Sequence, residues 1–316
     1  MVVWVFKTST ASSISGGLMN DSLIFQETPD LVNPYILIGY RGWLNAGEMA
    51  TGSIDFLRLK LHARKFASID SRPFYIWQVP GFDSAQVMRP NAVVEGGLIK
   101  SLEEPANEFF FWKSGAEHDL ILFTGFEPNV AWPEYTAAIL SVAKHYKACR
   151  IYVLGGVFDQ VPHTREINVY AVLSRPEMKS EFQSFPLLNY KGPSSFSTLF
   201  VHHAGREGIE AASIVARVPP YIHTFNAKIG YDFLKKVFAL TSLNIDLSDL
   251  KKSGDAVNKL MENDFRQNMD ALAQLRQLEQ IYDASLLQEY SDHPEVKIDE
   301  LMQEMQSMKK DGQKPH

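Results

Sequence analysis

Glu127, Asp159, His163, Thr164 and Arg165 are the residues whose types and spacing could do chemistry. A carboxylate, an imidazole and a guanidinium held together could bind an anion, or pass a proton between a base and an acid. Each also has a plainer reading. Glu127 could orient its loop by accepting backbone N–H bonds near a helix start. His163 and Arg165 could form a buried ion pair with Glu127 or Asp159, tying two loops together without turnover. Trp43 and Asn45, at a second strand-to-helix junction, and Trp132, beside Glu127, complete this polar edge, although tryptophans are more often core or interface than ligand platforms.

Standard catalytic signatures are missing from the sequence. Gly47 and Gly52 have GxxxxG spacing, but Ser53 follows with no Lys, so this is not a phosphate loop, and no GxGxxG occurs. No Ser sits in GxSxG. His202 and His203 are adjacent, so on a helix they point about 100° apart and cannot share one metal. No catalytic residue, metal or cofactor is assigned.

The edge residues require a scaffold that brings strand ends together. Leu120–Phe126 is a nearly continuous apolar run, as in a strand covered on both faces. Pro133 suits a first helical position, and Tyr135, Ile139, Val142 and Tyr146 form one apolar helical face. Ile151–Leu154 is a second apolar run, ending at Gly155-Gly156. Strand, helix and strand in succession predict a parallel βαβ unit, with Glu127 and Asp159–Arg165 leaving the carboxyl ends, where such sheets hold ligands. Pro34–Tyr40 is a further buried strand, followed by Asn45 with Glu48 three residues on, a capping-box pattern.

Lys65–Asp70, Phe74–Gln78, Val93–Ile99 and Phe109–Lys113 read as strands in quick succession, hence an antiparallel extension. Pro80–Pro90 reads as a surface loop. Phe109–Trp112, taken as a surface row of aromatics, predicts a homo-oligomeric contact. Ile167–Leu173 and Ala211–Val218 read as strands, with a helix over Phe196–Gly205 capped from Ser194-Ser195. From Asn226 onward the pattern is helical. The division predicted is a flexible extension over 1–21, an α/β core over 22–225, a helical appendage over 226–290 and a flexible tail over 291–316. Translation is expected to start at Met1 or Met19.

Of 316 residues, 45% are hydrophobic and 22% charged, ordinary globular usage with material for a sizeable core. A net charge of −6 and no dense basic run speak against nucleic-acid binding. No apolar run reaches the 18 or so residues of a membrane span, so no membrane partner is expected. Cys149, the single cysteine, suits a reducing cytoplasm.

GYRGWLNAGEMA (39–50), LFTGFEPNVAW (122–132), LGG (154–156) with PHTR (162–165), and ARVPPYI (216–222) resemble, in this order, the proteasome assembly chaperone 2 family. The similarity runs over about residues 22–290. It implies a mixed, largely parallel α/β sheet between helices, resembling the purine nucleoside phosphorylase/hydrolase-like core, with a C-terminal helical appendage. It implies a non-catalytic, chaperone-like or scaffold role, small homo-oligomers such as trimers, and a protein client. Asn45 stands where many members have Asp. The closing Lys314-Pro315-His316 differs from the hydrophobic–Tyr–any tripeptide of proteasome-docking archaeal members, so docking through the tail is not expected. The alternative is an enzyme or binder of a nucleoside-like or anionic ligand at the carboxyl edge.

Overall fold

The computed structural model describes residues 21–77 and 89–292. Its centre is an eight-stranded mixed sheet in the order β1-β3-β6-β7-β2-β8-β10-β9. Four adjacent strands form the parallel middle: β7 (Leu120–Phe126), β2 (Tyr35–Arg41), β8 (Arg150–Phe158) and β10 (Ala211–Val218). These are the segments without hydrophobic alternation, because helices cover both faces. β7 and β8 are parallel, as the βαβ pattern predicts, but β2 lies between them.

The antiparallel extension also forms. β6 (Asn107–Trp112) runs against β7, β3 (Arg64–Ile69) against β6, and β1 (Leu23–Phe25) against β3. β9 (Val169–Leu173) closes the other edge antiparallel to β10. α2 (Trp132–His145) and α3 (Phe196–Arg206) cover one face, burying Tyr135, Ile139, Val142 and Phe200 against Ile36, Ile38 and Phe123. Each such side chain contributes about 1.5–3 kcal/mol by leaving water. α1 (Met49–Lys60) and α4 (Ala227–Phe238) cover the opposite face, placing Ile54, Leu57, Phe233 and Val237 against Leu37, Leu122, Leu154 and Ile214. α5 (Ser248–Gln267) packs on α4, and α6 (Met269–Asp292) turns back from it.

Three local expectations are corrected. Val93–Ile99 is not one strand but the middle of a hairpin, β4 (Asn91–Glu95) with β5 (Leu98–Glu103). Gly96 and Gly97 both have positive φ, 57° and 78°, the geometry that reverses a chain in two residues. Phe74–Trp77 is not a strand; its backbone bonds to Asn129, and Gln78 lies outside the described residues. Phe109, Phe110 and Phe111 do not face solvent. They are buried, because β6 sits between β3 and β7 with helices on both faces. The loop expected at Pro80–Pro90 lies mostly outside the described residues, as do the segments 1–20 and 293–316.

Candidate functional site

The polar-edge residues do follow the carboxyl ends of parallel strands, but the fold separates them into two groups. Glu127 comes directly after β7, where its N–H donates to Arg41 O across the ladder at 2.9 Å. Its carboxylate then turns onto backbone: Oε2 accepts Trp43 N–H at 2.7 Å and Oε1 accepts Phe196 N–H at 3.2 Å. One carboxylate thus joins the β7 end, the β2 end and the first residue of α3. Gly42 permits it, since a Cβ there would run into the Glu127 side chain. Trp132 donates Nε1–H to Pro128 O at 2.7 Å and meets Phe196 edge-on at 5.4 Å. Trp43 is 61% exposed.

Asn45 acts as a helix cap. Its Oδ1 accepts the N–H groups of Ala50 and Thr51, each at 3.1 Å, and its Nδ2–H donates to Thr51 Oγ1 at 3.0 Å. The reciprocal arm of the capping box is absent, because Glu48 takes a left-handed φ of 52° and makes no cap bond. Gly47, also at positive φ, packs where a Cβ would meet Val218 Cγ1 at 2.8 Å. This tight turn holds the junction against β10.

The second group lies beyond β8. Asp159 pairs with Arg217 of β10 at 2.7 Å, and also accepts Gln160 N–H at 2.7 Å. His163 is 4% exposed. Its Nδ1 is 2.7 Å from Tyr221 Oη, and its backbone N–H donates to the same oxygen at 3.0 Å. Its ring stacks on Phe265 of α5 at 5.3 Å. Burial holds the imidazole below its ordinary pKa. Thr164 donates its hydroxyl to Glu279 of α6. Arg165 forks onto Asp283 with two bonds of 2.9 Å and reaches Glu279 at 3.3 Å. That fork, with Asp283 first, raises the Arg165 pKa.

The expected Glu127–Arg165 pair therefore does not form. Glu127 is held by Trp43 and Phe196, the latter on the α2/α3 side, whereas Arg165 is committed to α6. The space lined by His163, Arg165, Asn168, Arg217 and Lys228 measures about 10 Å³, room for roughly one water. A larger cavity of about 470 Å³ lies at the opposite, amino ends of β2 and β8, lined by Tyr35, Cys149, Arg150, Glu181 and Ser242. There Arg150 is already bonded to Glu181 and Glu210. Burial pushes the Cys149 thiol up to about 11, so it stays protonated at neutral pH and is a poor nucleophile.

Several positioning residues carry no local signal in the sequence. Asn107 Oδ1 gathers Tyr75 Oη at 2.7 Å, Tyr135 Oη at 2.9 Å and Phe126 N–H at 3.1 Å, fixing the strand end that precedes Glu127. Glu279 and Asp283, spaced one turn apart beside buried Tyr282, are the acidic half of the α6 contact. Their i,i+4 spacing was readable; their partner was not.

Compared with known proteins, the chain matches the PAC2 family over residues 40–263. No protein with a curated description matches it. Among solved structures, it is similar to a PAC2 family protein from Streptomyces avermitilis, at 25% identity and a TM-score of 0.64, covering 73% of this chain and 95% of that one. A proteasome-assembly chaperone homologue from Mycobacterium tuberculosis is 24% identical with a TM-score of 0.65, covering 72% and 94%. A protein of unknown function from the same organism has a TM-score of 0.75 at 19% identity, covering 88% and 93%.

Proposed function

The chain belongs to the PAC2 family, and from that premise we propose that it is a non-catalytic, self-associating scaffold of assembly-chaperone type, working in the cytoplasm on a protein client. The observation that carries this reading is the state of the polar edge. Glu127, Asp159, Thr164 and Arg165 all spend their side chains on bonds that join one element to another, and Asn45 spends its own on capping α1. A binding site keeps some of its polar groups aimed at the space a ligand would fill. Here the space beside His163 and Arg165 holds about one water. The edge behaves as a set of fasteners.

Self-association has a different support from the aromatic row of β6, which is core. In the β4–β5 hairpin Val93, Val94, Leu98, Ile99 and Leu102 are all exposed, at 48–71%. An isolated two-stranded hairpin is at best marginally stable in water, so an exposed apolar one calls for a covering surface. The chaperone role rests on the family and on the Mycobacterium tuberculosis homologue, whose own description names proteasome assembly. Light scattering at micromolar concentration should return at least twice the 35.7 kDa of one chain. A monomeric mass would remove self-association, and turnover of a nucleoside or anionic substrate that is lost in Arg165→Ala would remove the non-catalytic reading.

A further inference from the structure

Among the edge residues, His163 is the one with a buried side-chain atom that has no hydrogen-bond partner. Its ring is buried against Tyr221, edge-on at 5.7 Å, and Phe265, stacked at 5.3 Å, which themselves meet edge-on at 5.6 Å. Nδ1 is engaged by the Tyr221 hydroxyl, but Nε2 is buried with no hydrogen-bond partner. As the neutral ring this leaves one N–H or lone pair unmatched, a smaller cost than that of an unpaired charge. As imidazolium the ring would carry a full charge and an Nε2–H donor with no acceptor, which burial penalises heavily.

The residues next to it bind the C-terminal helices. His163 itself stacks on α5, Thr164 and Arg165 bond to Glu279 and Asp283 of α6, and Glu166 O accepts the Tyr282 hydroxyl of α6 at 3.4 Å. Arg217 adds a cation–π contact over the Tyr282 ring at 5.8 Å. Four consecutive loop residues thus form a strap from the sheet to the α5–α6 pair. We propose that His163 is a proton-sensitive latch: neutral, it lets the strap close on α5 and α6; protonated, it releases them from the sheet edge.

The charged groups around the ring pull both ways. Glu262 of α5 and Glu279 of α6 favour the protonated ring, and Lys228 of α4 opposes it. Arg165, Glu166, Arg217 and Asp232 line the small space beside it. Burial is the largest influence and outweighs the two carboxylates, so the docked ring resists protonation. The sign follows by linkage. The docked pKa is depressed, so the released state binds the extra proton. Docking is at full strength above the free imidazole value, about 6.5, and weakens as the pH falls below it. One proton sets a limit of about tenfold per pH unit in the docking equilibrium.

Hydrogen–deuterium exchange on the full chain between pH 5 and 8, corrected for intrinsic rates, tests this. Protection of α6 amides should fall by up to tenfold per pH unit below about 6.5, while β2 and β8 amides keep theirs. His163→Asn, which cannot take up the proton, should remove that slope whatever its effect on the level of protection. Flat α6 protection in the natural chain, or a slope that survives His163→Asn, overturns the latch. If that variant does not fold, a nuclear magnetic resonance titration of His163 in the natural chain decides. Its midpoint should lie below the free value and coincide with the loss of α6 protection; an unshifted midpoint with α6 still protected rejects the proposal.

Discussion

A carboxylate can hold a loop or hold a ligand, and at Glu127 the hydrogen bonds choose the first. Both oxygens receive backbone N–H groups, from residues 84 and 69 positions away. Replacing the carboxylate by an amide keeps one acceptor and sets an NH₂ against the other N–H. Glu127→Gln should therefore lower stability by about 1–2 kcal/mol, as loss of a charge-assisted bond does. Arg165 has other partners, so Arg165→Met should add to it within about 0.5 kcal/mol in the double variant. Urea melts of the two single variants and the double variant read this directly. Coupling well above that margin would mean that the two residues share a bond the geometry denies. The sequence does place Glu127, Asp159 and His163 at strand ends. It cannot say which partner each takes, because Trp43, Phe196, Arg217 and Tyr221 approach from elements far away in the chain.

β7, β10 and α3 were legible to within a residue or two, whereas β8 runs on through Gly155-Gly156 to Phe158, four residues past the Ile151–Leu154 run. β7 and β10 fall where their mainly apolar runs put them, and α3 starts after Ser195, whose hydroxyl accepts Thr198 N–H at 3.1 Å. The hairpin was misread because Val93, Val94, Leu98 and Ile99 look like one apolar run when Gly96-Gly97 is passed over. The capping box was half right. Asn45 caps α1 from beyond an intervening 3-10 turn, Ala46–Glu48, so its Oδ1 meets the N–H groups five and six residues on. Asn45→Ala should cost about 1 kcal/mol, in the range of a lost N-cap. Asn45→Asp should stay within about 0.5 kcal/mol, because a carboxylate still accepts both N–H groups and suits a helix N-terminus. Thermal melts of both variants check the pair; equal losses would mean that the Nδ2–Thr51 bond, and not the cap, is what α1 needs.

For the whole molecule, what remained out of reach was long-range closure. Arg165 and Asp283 are 118 residues apart, and an amphipathic helix announces a covered face without naming the cover. The same ambiguity attaches to the hairpin, whose apolar residues are exposed in the single chain. Between Asn91 and Glu103 the hairpin's strands pair with each other and not with the main sheet. A charge placed on it should leave the core intact, since no core side chain is displaced. If a second copy covers it, the charge must be desolvated in the contact, and association should fail. Ile99→Asp, at a position 71% exposed, should then give the mass of a single chain by light scattering. Core unfolding measured at high dilution, where the natural chain is also dissociated, should be unchanged within about 0.5 kcal/mol. At high concentration the natural chain alone should gain stability, because assembly favours the folded state by mass action. An Ile99→Asp protein that keeps the natural mass would free the hairpin from self-association and leave a client protein as the surface it meets.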